Sequence, residues 1–223
     1  MERSRVAIII PAYNEDKTLT KVIQTAKSYG DVIVVNDCSN DNTELLSKNM
    51  LAHVVNLNVN HGYDGALNAG FKFAYANNYN FFVTYDADGQ HTEEALSKTL
   101  DLLLKYDVVV GNRKNKQRFM EFIFGYFANK TIGINDPLSG LKGYRRVVYE
   151  KHGFFDNLNS VGTQLLFFAY KHNYSIGHFF FKTNVRKGGS RFGSAFLGNI
   201  KILKAMIKMT IFHFINRRKI WKK

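Results

Sequence analysis

Hydrophobic and polar positions alternate in blocks along the first half of the chain. Val6–Ile10 is an apolar run closed by Pro11, long enough for one strand and too short for a signal-peptide core. Leu19, Val22, Ile23 and Ala26 then recur at helical spacing within Thr18–Tyr29. The pattern repeats, with strands at Val32–Val35, His53–Val55, Phe81–Tyr85 and Asp107–Val110 and helices at Thr43–Asn49, Gly65–Ala76 and Thr92–Tyr106. Apolar strands alternating with amphipathic helices predict βαβ units around a mostly parallel sheet covered on both faces. Residues 112–135 are less regular and carry Arg113, Lys114, Lys116, Arg118 and Lys130. Farther on, Ser139–Tyr144 reads as a strand, Val161–Tyr170 as a helix and Ser175–Thr183 as extended. A Gly-rich loop, Lys187–Gly193, leads into a long final helix. The expected organisation is one α/β domain over residues 1–193, followed by a basic amphipathic helix over 194–223.

Composition agrees. The 223 residues include 45% hydrophobic side chains and only 2 prolines, which excludes a disordered or low-complexity chain. A single cysteine, Cys38, excludes a disulfide framework or a Cys-ligated zinc site and fits a reducing compartment. Charge changes the picture more. Residues 1–156 balance 18 Lys and Arg against 18 Asp and Glu, whereas residues 157–223 carry 13 cations and no acid. Such asymmetry points to an anionic partner: phosphates, nucleic acid or an anionic membrane surface.

Ligands of open parallel sheets sit beyond the carboxyl ends of the strands, where this sequence concentrates its polar residues. Strand one ends in Pro11-Ala12-Tyr13-Asn14-Glu15, strand two in Asn36-Asp37-Cys38-Ser39-Asn40-Asp41, and strand four in Asp86-Ala87-Asp88-Gly89-Gln90-His91. Asp86 and Asp88, at i and i+2 of an extended segment, face one side and repel unless a cation lies near. Magnesium or manganese suits such a pair, sharing its shell with substrate phosphates, and Gln90 adds a neutral oxygen. Asp-x-Asp-Gly is also ordinary turn chemistry. The first strand lacks Gly-x-Gly-x-x-Gly and no Gly-x-x-x-x-Gly-Lys-Ser/Thr occurs, which disfavours a dinucleotide-binding or P-loop protein.

These strand ends, with Asn60-His61-Gly62-Tyr63-Asp64-Gly65-Ala66 through Gly70, resemble in order and spacing the family 2 glycosyltransferases of the GT-A fold. The Asp-Ala-Asp-Gly-Gln-His form is most similar to the dolichyl-phosphate mannose synthase and polyprenyl-phosphate glycosyltransferase branch. Asp136-Pro137-Leu138-Ser139-Gly140-Leu141-Lys142 resembles that branch's Asp-x-x-Ser-Gly-Phe-Arg segment, and Val185-Arg186-Lys187-Gly188-Gly189-Ser190-Arg191 its basic loop. The resemblance implies that Pro11, Ala12, Tyr13 and Glu15 line a nucleoside pocket and that Val35 and Asp37 hold the base. It implies that Asp86 and Ala87 contact the nucleotide, that Asp88 and Gln90 bind the metal, and that Arg113 faces phosphate or sugar. Arg186 and Arg191 would close over the diphosphate or the acceptor phosphate. On position alone, Pro11 and Val35 are strand-end packing residues and Arg113 is surface charge. The implied activity is an inverting, metal-dependent transfer from a GDP- or UDP-linked sugar.

Many family 2 enzymes place a general base in the helix after the Ser-Gly segment; here Gln164 stands there and cannot accept a proton. A phosphate monoester, already anionic near pH 7, needs no base, so a lipid-linked polyprenyl phosphate is the favoured acceptor. Asp136 or Asp156 could serve a sugar hydroxyl instead. A nucleic-acid-binding protein leaves the carboxylates unexplained, and a sugar nucleotidyltransferase lacks its Gly-rich loop. In the final helix, Lys201, Lys204 and Lys208 share one face while Ile202, Met206, Met209 and Phe212 or His213 cover another. That composition fits a helix in a membrane interface or one docked on the protein's own sheet. With no apolar run of about 18 residues, the chain is expected to be peripheral on the cytoplasmic face of a membrane or to rely on a membrane partner protein.

Overall fold

In a computed structural model of the chain, residues 6–115, 118–184 and 195–217 are described. The chain runs β1 (Val6–Ala12), α1 (Leu19–Lys27), β2 (Asp31–Asn36), α2 (Thr43–Asn49), β3 (His53–Asn56), α3 (Gly62–Ala76), β4 (Phe81–Thr84) and α4 (Glu93–Leu103). It continues through β5 (Val108–Arg113), α5 (Phe119–Ile132), β6 (Lys142–Arg145), α6 (Arg146–His152), α7 (Gln164–Lys171), β7 (Ile176–Phe181) and α8 (Ala195–Arg217). The strands form one seven-stranded sheet in the order β3-β2-β1-β4-β6-β5-β7. All neighbouring pairs are parallel except those of β6, which runs antiparallel between β4 and β5.

Every residue of β1 is buried, because its side chains alternate between two cores. Ala7 and Ile9 join Phe71, Phe124, Phe155 and Phe167 on the face covered by α3, α5, α6 and α7. Val6, Ile8 and Ile10 join Val22, Ile23, Leu96 and Leu103 on the face covered by α1 and α4. Gly70 lets α3 lie close to the sheet, since a Cβ there would meet Ile9 Cγ2 at 2.3 Å. The start of α4 is capped by Thr92, whose hydroxyl accepts from the Ala95 N–H at 3.2 Å.

The expected α/β architecture is found, and α2 has the expected bounds. Two helices are additional. Residues 112–135 are not irregular: β5 extends to Arg113, and α5 occupies Phe119–Ile132. Aromatic residues surround α5 on several sides, with Phe124 buried and Phe119, Phe122 and Tyr126 exposed, so no single polar face reveals its period. The other is α6, one short element following β6 directly. The final helix docks through Ile202, Ala205, Met209 and His213, chiefly against α5 and α7, and its buried residues join the core on that face of the sheet. No helix among the described residues is long and apolar enough to cross a membrane.

Candidate active site

The carboxyl ends of β1, β2 and β4 open into one cleft of about 530 Å³, within the range of ligand pockets. The loops after β1 and β2 are tied to each other. Asn14 and Cys38 take left-handed backbone at φ 53° and 62°, turning both strands sharply at their ends. The Asn14 N–H donates to Ser39 Oγ at 3.0 Å, and the Asn40 N–H to Asn14 Oδ1 at 2.9 Å. Pro11, Ala12 and the half-exposed Tyr13 thereby line one end of the cleft. Asp37 lies beside them and accepts the N–H groups of His61 at 2.7 Å and Gly62 at 2.8 Å. A carboxylate from β2 thus caps α3, where it is favoured by the unpaired N–H groups and the dipole.

After β4, Asp88 Oδ1 accepts the Gln90 N–H at 3.0 Å, so the turn chemistry of this segment is present alongside its two carboxylates. The Asp86 N–H donates to His91 Nδ1 at 3.2 Å, and His91 Nε2 lies 3.6 Å from Asp86 Oδ2. His91 is buried against Tyr85 and Phe181, and its burial pushes the imidazole pKa down, so the neutral ring braces Asp86 from below. Gly140 packs against the same carboxylate, and a Cβ there would stand 2.0 Å from Asp86 Oδ2.

Cations from β5, α5 and α8 complete the cleft. The Arg113 guanidinium donates to both oxygens of Asp136, at 2.7 and 3.0 Å, and its Nη2 lies 3.5 Å from Glu121 Oε2. Burial opposes its charge, and the carboxylates of Asp136 and Glu121 outweigh that, holding its pKa up. Arg118 reaches the other Glu121 oxygen at 3.5 Å. Lys201 and Ile202 of α8 finish this end.

A loop over residues 156–163 forms the remaining wall through Val161. This β-branched residue sits at φ 58°, a strained conformation held by the bond from its N–H to Asp64 Oδ2 at 3.0 Å. Ser160 Oγ donates to Asp156, Asn68 donates to the Asp156 carbonyl, and Gln164 Oε1 accepts the Asn157 N–H at 2.8 Å. Lys142, buried beneath, donates to the Gly162 carbonyl at 3.0 Å, and burial lowers its pKa to about 8. Burial, reinforced by Asp156, raises the Asp64 pKa to about 7.

Of the residues expected from sequence, Pro11, Ala12, Tyr13, Asp37, Asp86, Asp88, Gln90 and Arg113 line this one cleft. Glu15, Ala87 and Val35 do not. Glu15 bonds the Thr18 hydroxyl at the start of α1, while Ala87 and Val35 are enclosed in the cores. Arg186 and Arg191 lie outside the described residues. Arg118, Glu121 and Lys201 join the site unforeseen, since Arg118 reads in sequence as one cation of an irregular stretch and the other two depend on where α5 and α8 dock.

No group of three His, Cys, Asp or Glu side chains among the described residues forms a self-sufficient metal site. The pair after β4 nonetheless fits a cation shared with a ligand, because Asp86 Oδ1 is buried at the cleft without a hydrogen-bond partner.

Comparison with known proteins agrees with this geometry. The model of the family described as glycosyl transferase family 2 matches residues 7–153. The undecaprenyl-phosphate mannosyltransferase of Micrococcus luteus is 29% identical over 161 residues, 63% of this chain and 66% of that protein. The polyprenol monophosphomannose synthase of Mycolicibacterium smegmatis is 29% identical over 175 residues, 66% of this chain and 64% of that protein. These matches thus span just under two thirds of the length of each of the two relatives. Among solved structures, glucosyl-3-phosphoglycerate synthase of Mycobacterium tuberculosis, in complex with Mn2+, UDP and glucosyl-3-phosphoglycerate, superposes with a TM-score of 0.71 at 18% identity. The match covers 93% of this chain and 80% of that one. A family match over more than half of the chain, with motif-bearing strand ends gathered at one cleft of a GT-A fold, places this protein in glycosyl transferase family 2.

Proposed function

We propose that this protein transfers a sugar from a nucleotide sugar to a lipid-linked phosphate, with inversion at the anomeric carbon. One observation carries the choice of acceptor. Among the described lining residues, the β5–α5–α8 end of the cleft presents Arg113, Arg118 and Lys201, and its one carboxylate, Glu121, is ion-paired with both arginines. Asp136 and Asp156, the two carboxylates that could have served as a base for a sugar hydroxyl, are bonded to Arg113 and to Ser160 and stand outside the lining. This end is built to receive an anion and not to remove a proton.

Pro11, Ala12, Tyr13 and Asp37 would hold the nucleoside, with the exposed Tyr13 ring beside the base. Asp86 and Asp88, with Gln90, would hold Mg2+ or Mn2+ against the diphosphate. When bound, that ion offsets the charge of the departing nucleoside diphosphate. A structural neighbour crystallised with Mn2+ and UDP supports this part of the reading. Arg113, kept rigid by Asp136, and Arg118 steer the acceptor phosphate toward the anomeric carbon. Arg186 and Arg191, on the resemblance of their segment to the family's basic one, are proposed to contribute charge to the same phosphates. An acceptor oxygen then forms the new carbon–oxygen bond opposite the leaving diphosphate, which departs with its electron pair. The acceptor phosphate has a second pKa near 6, so its attacking oxygen is already unprotonated at neutral pH. The names of the two relatives, both transferases or synthases of polyprenyl-linked mannose, favour the same acceptor class. Incubation with radiolabelled UDP- and GDP-sugars, a short polyprenyl phosphate and Mn2+ tests the proposal. Label passing into the lipid supports it, and a chain that binds nucleotide but labels no phosphate acceptor contradicts it.

A further inference from the structure

The final helix carries three kinds of face where its sequence suggests two. Ile202, Ala205, Met209 and His213 are buried against α5 and α7, and Lys201, Lys204 and Lys208 form a cationic stripe. Between the two, Phe196, Leu203, Ile207, Ile211 and Phe214 recur on one further side of the helix and remain 39 to 73% exposed. Next to it, α5 leaves Phe119, Phe122, Ile123 and Tyr126 in water, at 37 to 70% exposure. The two apolar stripes flank one junction, where the Met120 N–H donates to Asn199 Oδ1 at 3.3 Å. Single exposed apolar residues are ordinary, but a band of them across two adjoining helices marks an interaction surface. This band borders the cleft, since Arg118 at the start of α5, Glu121 of α5 and Lys201 of α8 line it.

Charge selects the occupant. Neither helix offers a carboxylate on this side. Glu121 is buried between two arginines, α8 contains no acid, and residues 157–223 carry 13 cations and none. A second copy laid on the same face would bring lysine against lysine. A bilayer containing anionic phospholipids accepts both components: apolar side chains enter the acyl boundary while Lys204, with Lys201 at the edge of the cleft, reaches the headgroup phosphates, Lys208 Nζ being turned to the Leu158 carbonyl at 2.6 Å. Lys130, with its Nζ 5.8 Å from the Tyr126 ring, puts a cation beside the aromatic band at its far end. We infer that α5 and α8 together form a docking face for an anionic bilayer, setting the mouth of the cleft at the headgroup layer. The inference deepens the lipid-acceptor reading, because such an acceptor keeps its chain in the bilayer and presents its phosphate there, although docking itself needs no acceptor.

Cosedimentation of the full chain with phosphatidylcholine vesicles, with and without phosphatidylglycerol and free of any polyprenyl phosphate, tests docking apart from catalysis. Binding is expected only with phosphatidylglycerol, and Phe122→Gln, Tyr126→Gln and Ile207→Gln combined should weaken it at least about tenfold with Mn2+–nucleotide affinity unchanged. Undiminished binding by this variant overturns the inference, as does a dimer of the native chain that the variant disperses while vesicles bind neither. Hydrogen exchange on the unsubstituted chain gives a second reading. Vesicles should slow exchange in 119–126 and 196–214, and no change there counts against docking. Failure of transfer to a short polyprenyl phosphate, with docking intact, would fall on the acceptor reading alone.

Discussion

Replacing Gly140 with alanine adds one methyl group at the most crowded point of the cleft. The new Cβ would lie 2.0 Å from Asp86 Oδ2, 2.5 Å from Cγ and 2.6 Å from Oδ1. Real contacts of this kind do not fall below 3.0 Å, so the carboxylate must retreat by at least about 1 Å. The fold can absorb that. Gly140 has no left-handed backbone to lose, its carbonyl still accepts from Thr84 Oγ1, and the partly exposed Asp86 side chain can swing into the cleft. An off-rotamer side chain costs about 1 kcal/mol, or about 2–4 °C in melting midpoint for a chain of this size. Catalysis is far less tolerant, since a displacement of about 1 Å in a positioned group can cost on the order of 10²-fold. Gly140→Ala is therefore expected to melt within a few degrees of the native protein, bind Mn2+–nucleotide weakly by calorimetry and transfer sugar about a hundredfold more slowly. Native affinity and turnover would show that the position of Asp86 does not matter and would remove the reason given for this glycine.

Four further outcomes follow from the same residues and chemistry. Asp88→Asn should abolish transfer and weaken nucleotide binding in Mn2+ or Mg2+, and activity that survives excess chelator would count against the metal. Gln164→Ala loses a bond to the Asn157 N–H, so transfer should fall less than about tenfold, against the 10²–10⁴-fold typical of a lost general base. The native rate should rise through about pH 6 and then level as the acceptor ionises. Asp64 makes stability depend on pH: burial holds its folded pKa at about 7, above the usual carboxylate value of 3.8. Its stabilising contribution is therefore present in full below about pH 4 and lost as pH rises through about 7. About three pKa units correspond to about 4 kcal/mol as an upper value. Melting curves from pH 4.5 to 8 should show the native protein losing stability relative to Asp64→Asn, and parallel curves would refute the assignment.

The first four parallel strands and their helices were legible because each is a continuous apolar run or a clean helical period, and β1 feeds two cores at once. The carboxylates after β2 and β4 were legible because motif and strand end coincide. What escaped depends on partners distant in sequence. Asp37 caps a helix that begins 25 residues later, a role no local pattern announces. Val35 belongs to a strand end but faces the core beneath α3, because register, not proximity, decides which side chain reaches the cleft. Gln164 was legible as the lack of a base, but its work in holding the 156–163 loop required seeing Asn157 fold back onto it. The antiparallel course of β6 and the aromatic surface of α5 carry no periodic signal that separates them from their surroundings.

In the proposed reaction the acceptor's nucleophile is a phosphate oxygen. The most direct measurement offers the protein a polyprenyl phosphate and a sugar-terminated lipid together, with one nucleotide sugar and Mn2+, and follows the products by phosphorus NMR. Conversion of the monoester signal to that of a glycosyl phosphodiester, with the sugar-terminated lipid unchanged, is the expected result. Transfer to the sugar hydroxyl alone, lost in Asp136→Asn or Asp156→Asn with metal binding intact, would contradict it.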